Sequence, residues 1–221
     1  GRSSVNTIML IPPPEDDAGI ELKKGPNIKS LPDFDKIDDA FEVPVILKMG
    51  DNISTDEILK AGAEVLPLRS NIEAISRYAY QVISDDYHRQ AAGTKESYGG
   101  HVVVAGENYA QGSSREHAAI APRYLGQKAV LARSYARIGF QNLVNYGIIP
   151  FVFEDPADYD TIREDHLISL EGITEAISEG MPVTARNQTS GKEFRLRCNV
   201  TPRQGKILLS GGLINYLREK N

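Results

Sequence analysis

The chain has 221 residues, of which 41% are hydrophobic and 25% are charged, so it is long enough to bury the core of one large or two small globular domains. Its formal net charge of −5 provides no extended basic surface for phosphate backbones, which argues against general nucleic-acid binding. The single cysteine, Cys198, excludes an internal disulfide and fits a reducing compartment. No apolar run reaches the roughly 20 residues of a membrane span. We therefore expect a cytoplasmic protein.

Residues 1–41 are expected to form an extended arm in front of a compact domain at residues 42–221. The segment IPPPEDDAGIELKKGPNIKSLPDFD contains prolines at positions 12, 13, 14, 26 and 32, and these interrupt every helical period. A disordered tail fits this composition equally well.

From residue 43 onward, apolar runs typical of strands alternate with helical patterns. Strands are predicted in VPVILKM, HVVVAGE, KAVLARS and IIPFVF, and helices in NIEAISRYAYQVI, SSREHAAIAPRYL and YARIGFQNLVNYG. The last third is predicted to hold the short strands HLISL, MPVTARN and EFRLRCNV and a closing helix in GGLINYLREK. The order of strand, helix, strand, helix and strand in the middle predicts an α/β fold with a largely parallel sheet.

The segment ENYAQGSSREHAAIAPR, residues 107–123, contains a motif that has both a structural and a functional interpretation. Ser113 and Glu116 have the spacing of a capping box, with the serine as the N-cap of the following helix. Such boxes occur in many folds, so this pattern alone would indicate only where a helix begins.

The position of the motif behind a buried strand favours a function as well. The helix start should lie at the carboxyl edge of a parallel sheet, where α/β proteins bind ligands, and its N–H groups favour an anion. Arg115 adds a planar fork suited to a carboxylate, beside the hydroxyl of Ser113 or Ser114. A hydrolase nucleophile would need glycine where Arg115 stands, so proton transfer by a serine alkoxide is the better hypothesis. His117 is as suited to packing or to a backbone hydrogen bond as to a role as base.

A second segment, DNISTDEILKAGAEVLPLRSN, repeats this pattern. Ser54 and Glu57 form another predicted capping box around Asp56, and Arg69 follows the apolar VLPL. Arg69 alone could be an ordinary solvated arginine. The third segment, SYARIGFQNLVNYGIIPF, looks mainly structural, although its two arginines, Arg133 and Arg137, could also face the first motif.

Together, these three segments resemble the C-terminal swivel domain of the aconitase family in order and spacing, over most of residues 44–165. GPNIKSLP in the arm is similar to the connector that joins this domain to the rest of the enzyme. The resemblance implies a swivelling β/β/α three-layer domain with a mixed, largely parallel sheet.

The resemblance also implies an activity, which is the interconversion of citrate and isocitrate through cis-aconitate. In the family this reaction uses a 4Fe-4S cluster whose cysteine ligands belong to the other domains, so we expect those domains as partners and no metal ligand in this chain. Ser113 corresponds to the catalytic base, and Ser114 to the serine that helps to position it and also binds substrate. Arg69 and Arg115 correspond to arginines that bind substrate carboxylates, and Asp56, the aspartate of the TD motif, to a further catalytic residue. We therefore expect the isolated chain to be inactive.

Three positions depart from the family pattern, and two other functions stay open. Many aconitases have histidine in place of Glu57 and Gly-Glu in place of Ala110 and Gln111, so the roles of these residues are open.

The first alternative function is the small subunit of isopropylmalate isomerase or homoaconitase, which shares GSSREHA, although Arg69 and HAAIAPRYLG look more like aconitase. The second is a non-enzymatic module that binds anions or RNA. The acidic balance and the lack of aromatic residues among basic ones argue against RNA, and no membrane partner is expected.

Overall fold

The computed structural model describes residues 8–13, 19, 21 and 23–220. Part of the predicted arm, at residues 1–7, 14–18, 20 and 22, lies outside the described residues, as does Asn221. The described residues before Phe41 contain no helix or strand, and the division into an arm and a domain stays a prediction.

Seven strands close into one barrel in the order β1-β2-β3-β4-β7-β6-β5. The neighbours from β1 to β4 are parallel, and the four other ladders, including the one between β1 and β5, are antiparallel. The predicted mixed α/β fold is confirmed, with the parallel part of the sheet restricted to the first four strands. The strands are β1 (Phe41–Lys48), β2 (His101–Ala105), β3 (Gln127–Ala132), β4 (Ile149–Phe153), β5 (Leu167–Leu170), β6 (Val183–Asn187) and β7 (Glu193–Cys198).

Eight α-helices connect or follow these strands. They are α1 (Thr55–Ile58), α2 (Ile72–Ser76), α3 (Tyr87–Tyr98), α4 (His117–Tyr124), α5 (Arg137–Asn145), α6 (Ile173–Glu179), α7 (Pro202–Leu209) and α8 (Leu213–Arg218) in the described part of the chain. Short 3-10 helices occupy Leu66–Leu68 and Pro156–Thr161. Within the described residues, none of these helices has the length and apolar character needed to cross a bilayer.

The sequence predicts all seven strands, and it predicts α4, α5 and α8 within a few residues. The helix predicted in NIEAISRYAYQVI is wrong beyond Ser76. Ala79 pairs with Leu59, and Tyr80 N donates to Ile58 O at 2.7 Å, so α2 ends before these residues. Helices α3, α6 and α7 are absent from the prediction. For α7 a signal was available, since Thr201 and Gln204 form a capping box around the first turn.

Alternate residues of the parallel strands enter two different cores. Val102 and Val104 of β2 lie inside the barrel, whereas Val103 and Ala105 pack against the helices α1 to α5. Burial of both faces explains why this strand is an unbroken apolar run in the sequence. The helices on the parallel half leave the carboxyl ends of β1, β2 and β3 together at one edge.

The last part of the predicted arm is bound to the body of the domain. Lys29 N donates to Ser70 O at 2.8 Å, and Asn215 Nδ2 of α8 donates to Phe34 O at 2.7 Å. Arg123 Nη2 of α4 donates to Asp35 O at 2.8 Å. The chain is therefore anchored before its first strand begins.

Candidate active site

The three segments singled out in the sequence meet at the carboxyl ends of β1, β2 and β3. The loop after β2 lies between the other two, and it pairs with both of them through isolated bridges. Ser54 is bridged to Gln111, and Tyr109 is bridged to Tyr135, each in parallel orientation. Parallel strands end at a common edge, which is the usual position of ligand sites in α/β proteins.

Unusual backbone conformations are concentrated in these loops. Asn52, Asn108 and Ala110 have φ values of 59°, 56° and 62°, in the left-handed region that few non-glycine residues adopt. The two asparagines support each other, since Asn108 Nδ2 donates to Asn52 Oδ1 at 3.0 Å. Ala110 has no side-chain hydrogen bond to offset the cost, which is of order 1 kcal/mol. Strain of this kind is typical of loops whose shape is required for function.

The predicted capping box at Ser113 is wrong. Helix α4 begins at His117, its N-cap residue is Glu116, and no side chain caps it. Gly112 has a φ of 103°, and Ser113 N donates to Thr55 Oγ1 at 3.2 Å, so residues 113–115 are held in an extended loop beside α1. Thr55 is thus a residue of the site that no sequence pattern indicated.

As a result, both serine hydroxyls are free of the helix. Ser113 and Ser114 are exposed, and neither side chain has a hydrogen-bond partner among the described residues. The backbone N–H groups of Ser114, Arg115 and Glu116 also donate to no group in this part of the chain. Exposed hydroxyls next to unpaired N–H groups at a helix start provide a place for an anion.

One edge of the Arg115 guanidinium is bound to protein atoms, and its other edge is free to bind a ligand. Nη1 donates to Asp56 Oδ1 at 2.9 Å and to Leu59 O at 2.7 Å, so the side chain is fixed against α1 and is only 15% exposed. Nε and Nη2 donate to no protein atom in the described structure. These two N–H groups are the pair that binds a carboxylate in a bidentate manner.

Asp56 therefore belongs to the site, as a partner of Arg115 on α1. The predicted capping box that surrounds it is confirmed. Ser54 Oγ accepts from Glu57 N at 3.2 Å, and Ser54 N donates to Glu57 Oε2 at 2.8 Å. This assigns Glu57 a structural role. Gln111, another departure from the family pattern, donates from Nε2 to Asn52 O at 2.9 Å and so ties two of the loops together.

Arg69 approaches the same region from the 3-10 helix Leu66–Leu68. Its side chain is exposed and has no partner among the described residues, and it lines one small depression together with Arg115 and His117. The ring of His117 is buried, and its Nε2 lies 2.8 Å from Arg69 O. The structure thus brings the two predicted substrate arginines together, and it adds a histidine contact that the sequence does not indicate.

The two remaining arginines differ in their surroundings. Arg133 is bound away from the serines, to Pro156 O at 3.0 Å and to Asp160 Oδ2 at 2.9 Å. Arg137 is exposed and has no side-chain partner among the described residues. Both line an open cleft of about 1110 Å³ that extends to Gly112, so only Arg137 is available to a ligand from that side.

The donor atoms in the described residues do not fit a metal cluster. No group of three or more His, Cys, Asp or Glu side chains in residues 8–13, 19, 21 and 23–220 could hold a metal ion. The one cysteine, Cys198, lies in the barrel core, where burial raises the pKa of its thiol to about 12. An iron–sulfur cluster requires several thiolates, which this chain cannot supply.

Comparison with known proteins identifies the family. Residues 51–156 match the family model described as the aconitase C-terminal domain. The chain is 35% identical over 198 residues to a mitochondrial aconitate hydratase of Saccharomyces cerevisiae, covering 79% of this chain and 25% of the relative. It is 32% identical over 203 residues to a probable mitochondrial aconitate hydratase of Dictyostelium discoideum, covering 82% of this chain and 26% of the relative.

A solved structure supports the fold. The chain resembles 3-isopropylmalate dehydratase of Methanocaldococcus jannaschii with a TM-score of 0.64 and 28% identity, over 82% of this chain and 95% of that one. The chain spans about a quarter of the length of the curated relatives it matches. With the strand ends, the serine–arginine loop and the family match in agreement, the chain belongs to the aconitase C-terminal domain family.

Proposed function

We propose that this chain is the domain of a hydro-lyase that supplies the proton-transferring serine and two carboxylate-binding arginines, in an enzyme that interconverts citrate and isocitrate through cis-aconitate. One observation carries the proposal. Arg115 is fixed by Asp56 and Leu59 with Nε and Nη2 open, directly after two exposed serine hydroxyls.

The arginines bind and orient the substrate. The open side of Arg115 takes one carboxylate, and Arg69, on the rim of the same depression, takes another. Two contacts to one tricarboxylate, one of them from the fixed Arg115, determine which of its carbon atoms lies next to Ser113. The N–H groups of Ser114 and Arg115 add positive potential at this point.

Ser113 moves the proton. Its Oγ, as an alkoxide stabilised by the neighbouring N–H groups and by Arg115, accepts the proton from the carbon α to a carboxylate. The electron pair of the broken C–H bond forms the double bond of cis-aconitate as the hydroxyl group leaves the adjacent carbon. In hydration the Ser113 hydroxyl returns the proton to carbon. Ser114 helps to hold Ser113 in place.

Departure of the hydroxyl requires an electrophile that this chain does not provide. Family membership implies a 4Fe-4S cluster in the complete enzyme, and its ligands would come from other parts of a longer protein, which are the partners of this domain. We therefore expect no dehydration of citrate by the isolated chain.

A titration of the 221-residue chain with citrate, followed by NMR, should show weak binding with a dissociation constant of about 1 mM or higher. The amide signals of Ser113, Ser114 and Arg115 should shift first, and shifts restricted to other regions would contradict the site.

An alternative substrate is favoured by one observation. The solved structure that the chain resembles is named 3-isopropylmalate dehydratase, and 95% of its length is covered. The discriminating experiment is to assay the full-length protein, with its cluster reconstituted, on citrate, homocitrate and isopropylmalate side by side. We expect citrate to give the highest kcat/KM. Dominant turnover of isopropylmalate would contradict the assignment.

The location of the protein stays a proposal. We propose a cytoplasmic protein because its one cysteine fits a reducing compartment. The matched relatives have mitochondrial aconitate hydratase in their names. Immunoblotting of fractionated cells with an antibody against this domain distinguishes the two locations.

A further inference from the structure

His117 lies where the two substrate arginines meet. It follows Arg115 by two residues at the start of α4, its side chain is buried, and its Nε2 is 2.8 Å from Arg69 O. A carbonyl oxygen can only accept a hydrogen bond, so Nε2 carries the proton and the imidazole donates. This bond joins the serine–arginine loop to a residue that is distant in sequence.

Apart from local turn bonds between Gly62 and Asn71, the segment that carries Arg69 has few attachments. Arg69 N reaches Leu66 O at 3.4 Å, which is long for a backbone hydrogen bond, and the Arg69 side chain has no partner among the described residues. The next residue, Ser70, is bound through its carbonyl oxygen to Lys29 N of the arm. The hydrogen bond from His117 therefore connects the backbone of Arg69 directly to the segment that carries Arg115.

His117 is itself well fixed. Helix α4 packs against α2, and Ala118, Ala119 and Ile120 next to the histidine are buried in the same core as Ile75 of α2. The second ring nitrogen, Nδ1, lies 3.5 Å from Glu116 Oε1, which is too long for a strong hydrogen bond. The orientation of the ring is thus set by packing and by the bond to Arg69.

We propose that His117 is a positioning residue for substrate binding. By holding Arg69 O, it fixes the backbone of Arg69 relative to Arg115, and so it keeps both guanidinium groups within reach of one ligand. This inference rests on the function proposed above, since it assumes that both arginines bind one acid. His117 takes no part in proton transfer.

The test compares variants in the full-length enzyme, with citrate as the probe. His117→Phe keeps a planar ring and removes the donor, whereas His117→Gln carries an amide N–H that can reach Arg69 O. We expect His117→Phe to raise KM about tenfold with kcat changed less than about threefold, and His117→Gln to stay within about threefold of the parent in both. In an Arg69→Ala background, His117→Phe should have no further effect on KM. If His117→Phe does not fold, His117→Asn, whose side chain is too short to reach Arg69 O, replaces it.

Two kinetic results would overturn the proposal. One is the same rise in KM for His117→Phe with and without Arg69, and the other is a failure of His117→Gln to match the parent KM. If the enzyme turns over isopropylmalate and not citrate, the proposed function is wrong, and the same variants are then compared with isopropylmalate. Hydrogen exchange of residues 66–71 in the 221-residue chain gives a readout without turnover. It should be faster in H117F and parent-like in H117Q, and unchanged exchange in H117F would also contradict the role.

Discussion

Gly139 at the start of α5 lies directly against Ala110 of the loop after β2. A Cβ atom added at Gly139 would overlap Ala110 Cβ and would lie 2.7 Å from Ala110 O. Ala110 has a strained backbone and precedes Gln111, Gly112 and Ser113. The absence of a side chain at Gly139 is therefore what allows α5 to support the loop that carries Ser113.

Gly139→Ala should accordingly lower both stability and activity. The clash involves backbone atoms that cannot rotate away, so we expect a loss of about 1–3 kcal/mol in the free energy of unfolding. Displacement of the loop should also lower kcat/KM. Urea unfolding and steady-state kinetics measure the two effects. Gly93→Ala in α3 is the matched control, since its Cβ would have no neighbour within 4 Å and should stabilise the helix by about 0.5–1 kcal/mol. Equal stability of the two variants would contradict the role of Gly139.

Ser113→Ala should remove catalysis and leave stability unchanged. In the proposed function the hydroxyl transfers a proton, so we expect kcat to fall by about 10²–10⁴-fold with little change in KM. Because Ser113 does not cap α4, the melting temperature should match that of the parent. Ser54→Ala is the opposite control, since it removes a true capping box and should cost about 1 kcal/mol of stability. A kcat for Ser113→Ala within about threefold of the parent would exclude Ser113 as the base.

Arg69→Lys tests carboxylate recognition. Lysine keeps the charge but lacks the planar fork, so KM for citrate should rise at least about tenfold, equivalent to about 1.4 kcal/mol. Thermal stability should be unchanged, because the side chain is exposed and has no partner among the described residues. Arg89→Lys, on the exposed surface of α3, provides the control and should leave KM unaltered. An unaltered KM for Arg69→Lys would mean that this arginine does not contact the substrate.

Acidification should lower the free energy of unfolding, because His101 is protonated more readily in the unfolded chain than in the folded one. Its ring is buried beside Tyr87, whose hydroxyl lies 2.8 Å from His101 Nε2, and burial lowers the pKa of His101 from 6.5 to about 3. The unfolded chain therefore takes up a proton below about pH 6.5 that the folded chain does not. The stability due to the neutral ring is present in full above this pH and is lost as the pH falls towards 3. Between about pH 7 and about pH 5 we expect a loss of roughly 2 kcal/mol from this residue.

The measurement is urea unfolding of the parent and of His101→Gln at both pH values. The variant should be less stable at neutral pH, because the amide fits the site less well, but it should lose less stability on acidification. Parallel losses in the two proteins would show that His101 does not cause the effect.

The sequence was informative where a pattern depends on neighbouring residues, and less so where distant segments decide the outcome. Alternating and continuous apolar runs predicted every strand, and the spacing of Ser54 and Glu57 predicted a real capping box. The same spacing failed at Ser113, because Thr55 of another segment binds its N–H group and keeps it out of the helix. The position behind a buried strand already singled out Ser113, Ser114 and Arg115 as a candidate anion site, whereas the roles of Asp56 and Arg69 could be assigned only through the family resemblance. The bond from His117 to Arg69 depends on tertiary packing, for which no sequence pattern exists.

Closure of the barrel also determines when the active-site loops can form during protein synthesis. The matched segment, residues 51–156, contains β2, β3 and β4, but β1 and the strands from β5 to β7 lie outside it. Phe41 pairs with Leu170, and Phe151 pairs with Cys198, so the first half of the sheet has two unpaired, apolar edges until the last third of the chain has left the ribosome. Such edges pair readily with other chains. A chain cut to the matched segment would keep the open edge of β4 and, without β1, would also expose the edge of β2. The nascent domain would be most exposed to aggregation while the residues of its candidate site were already synthesised.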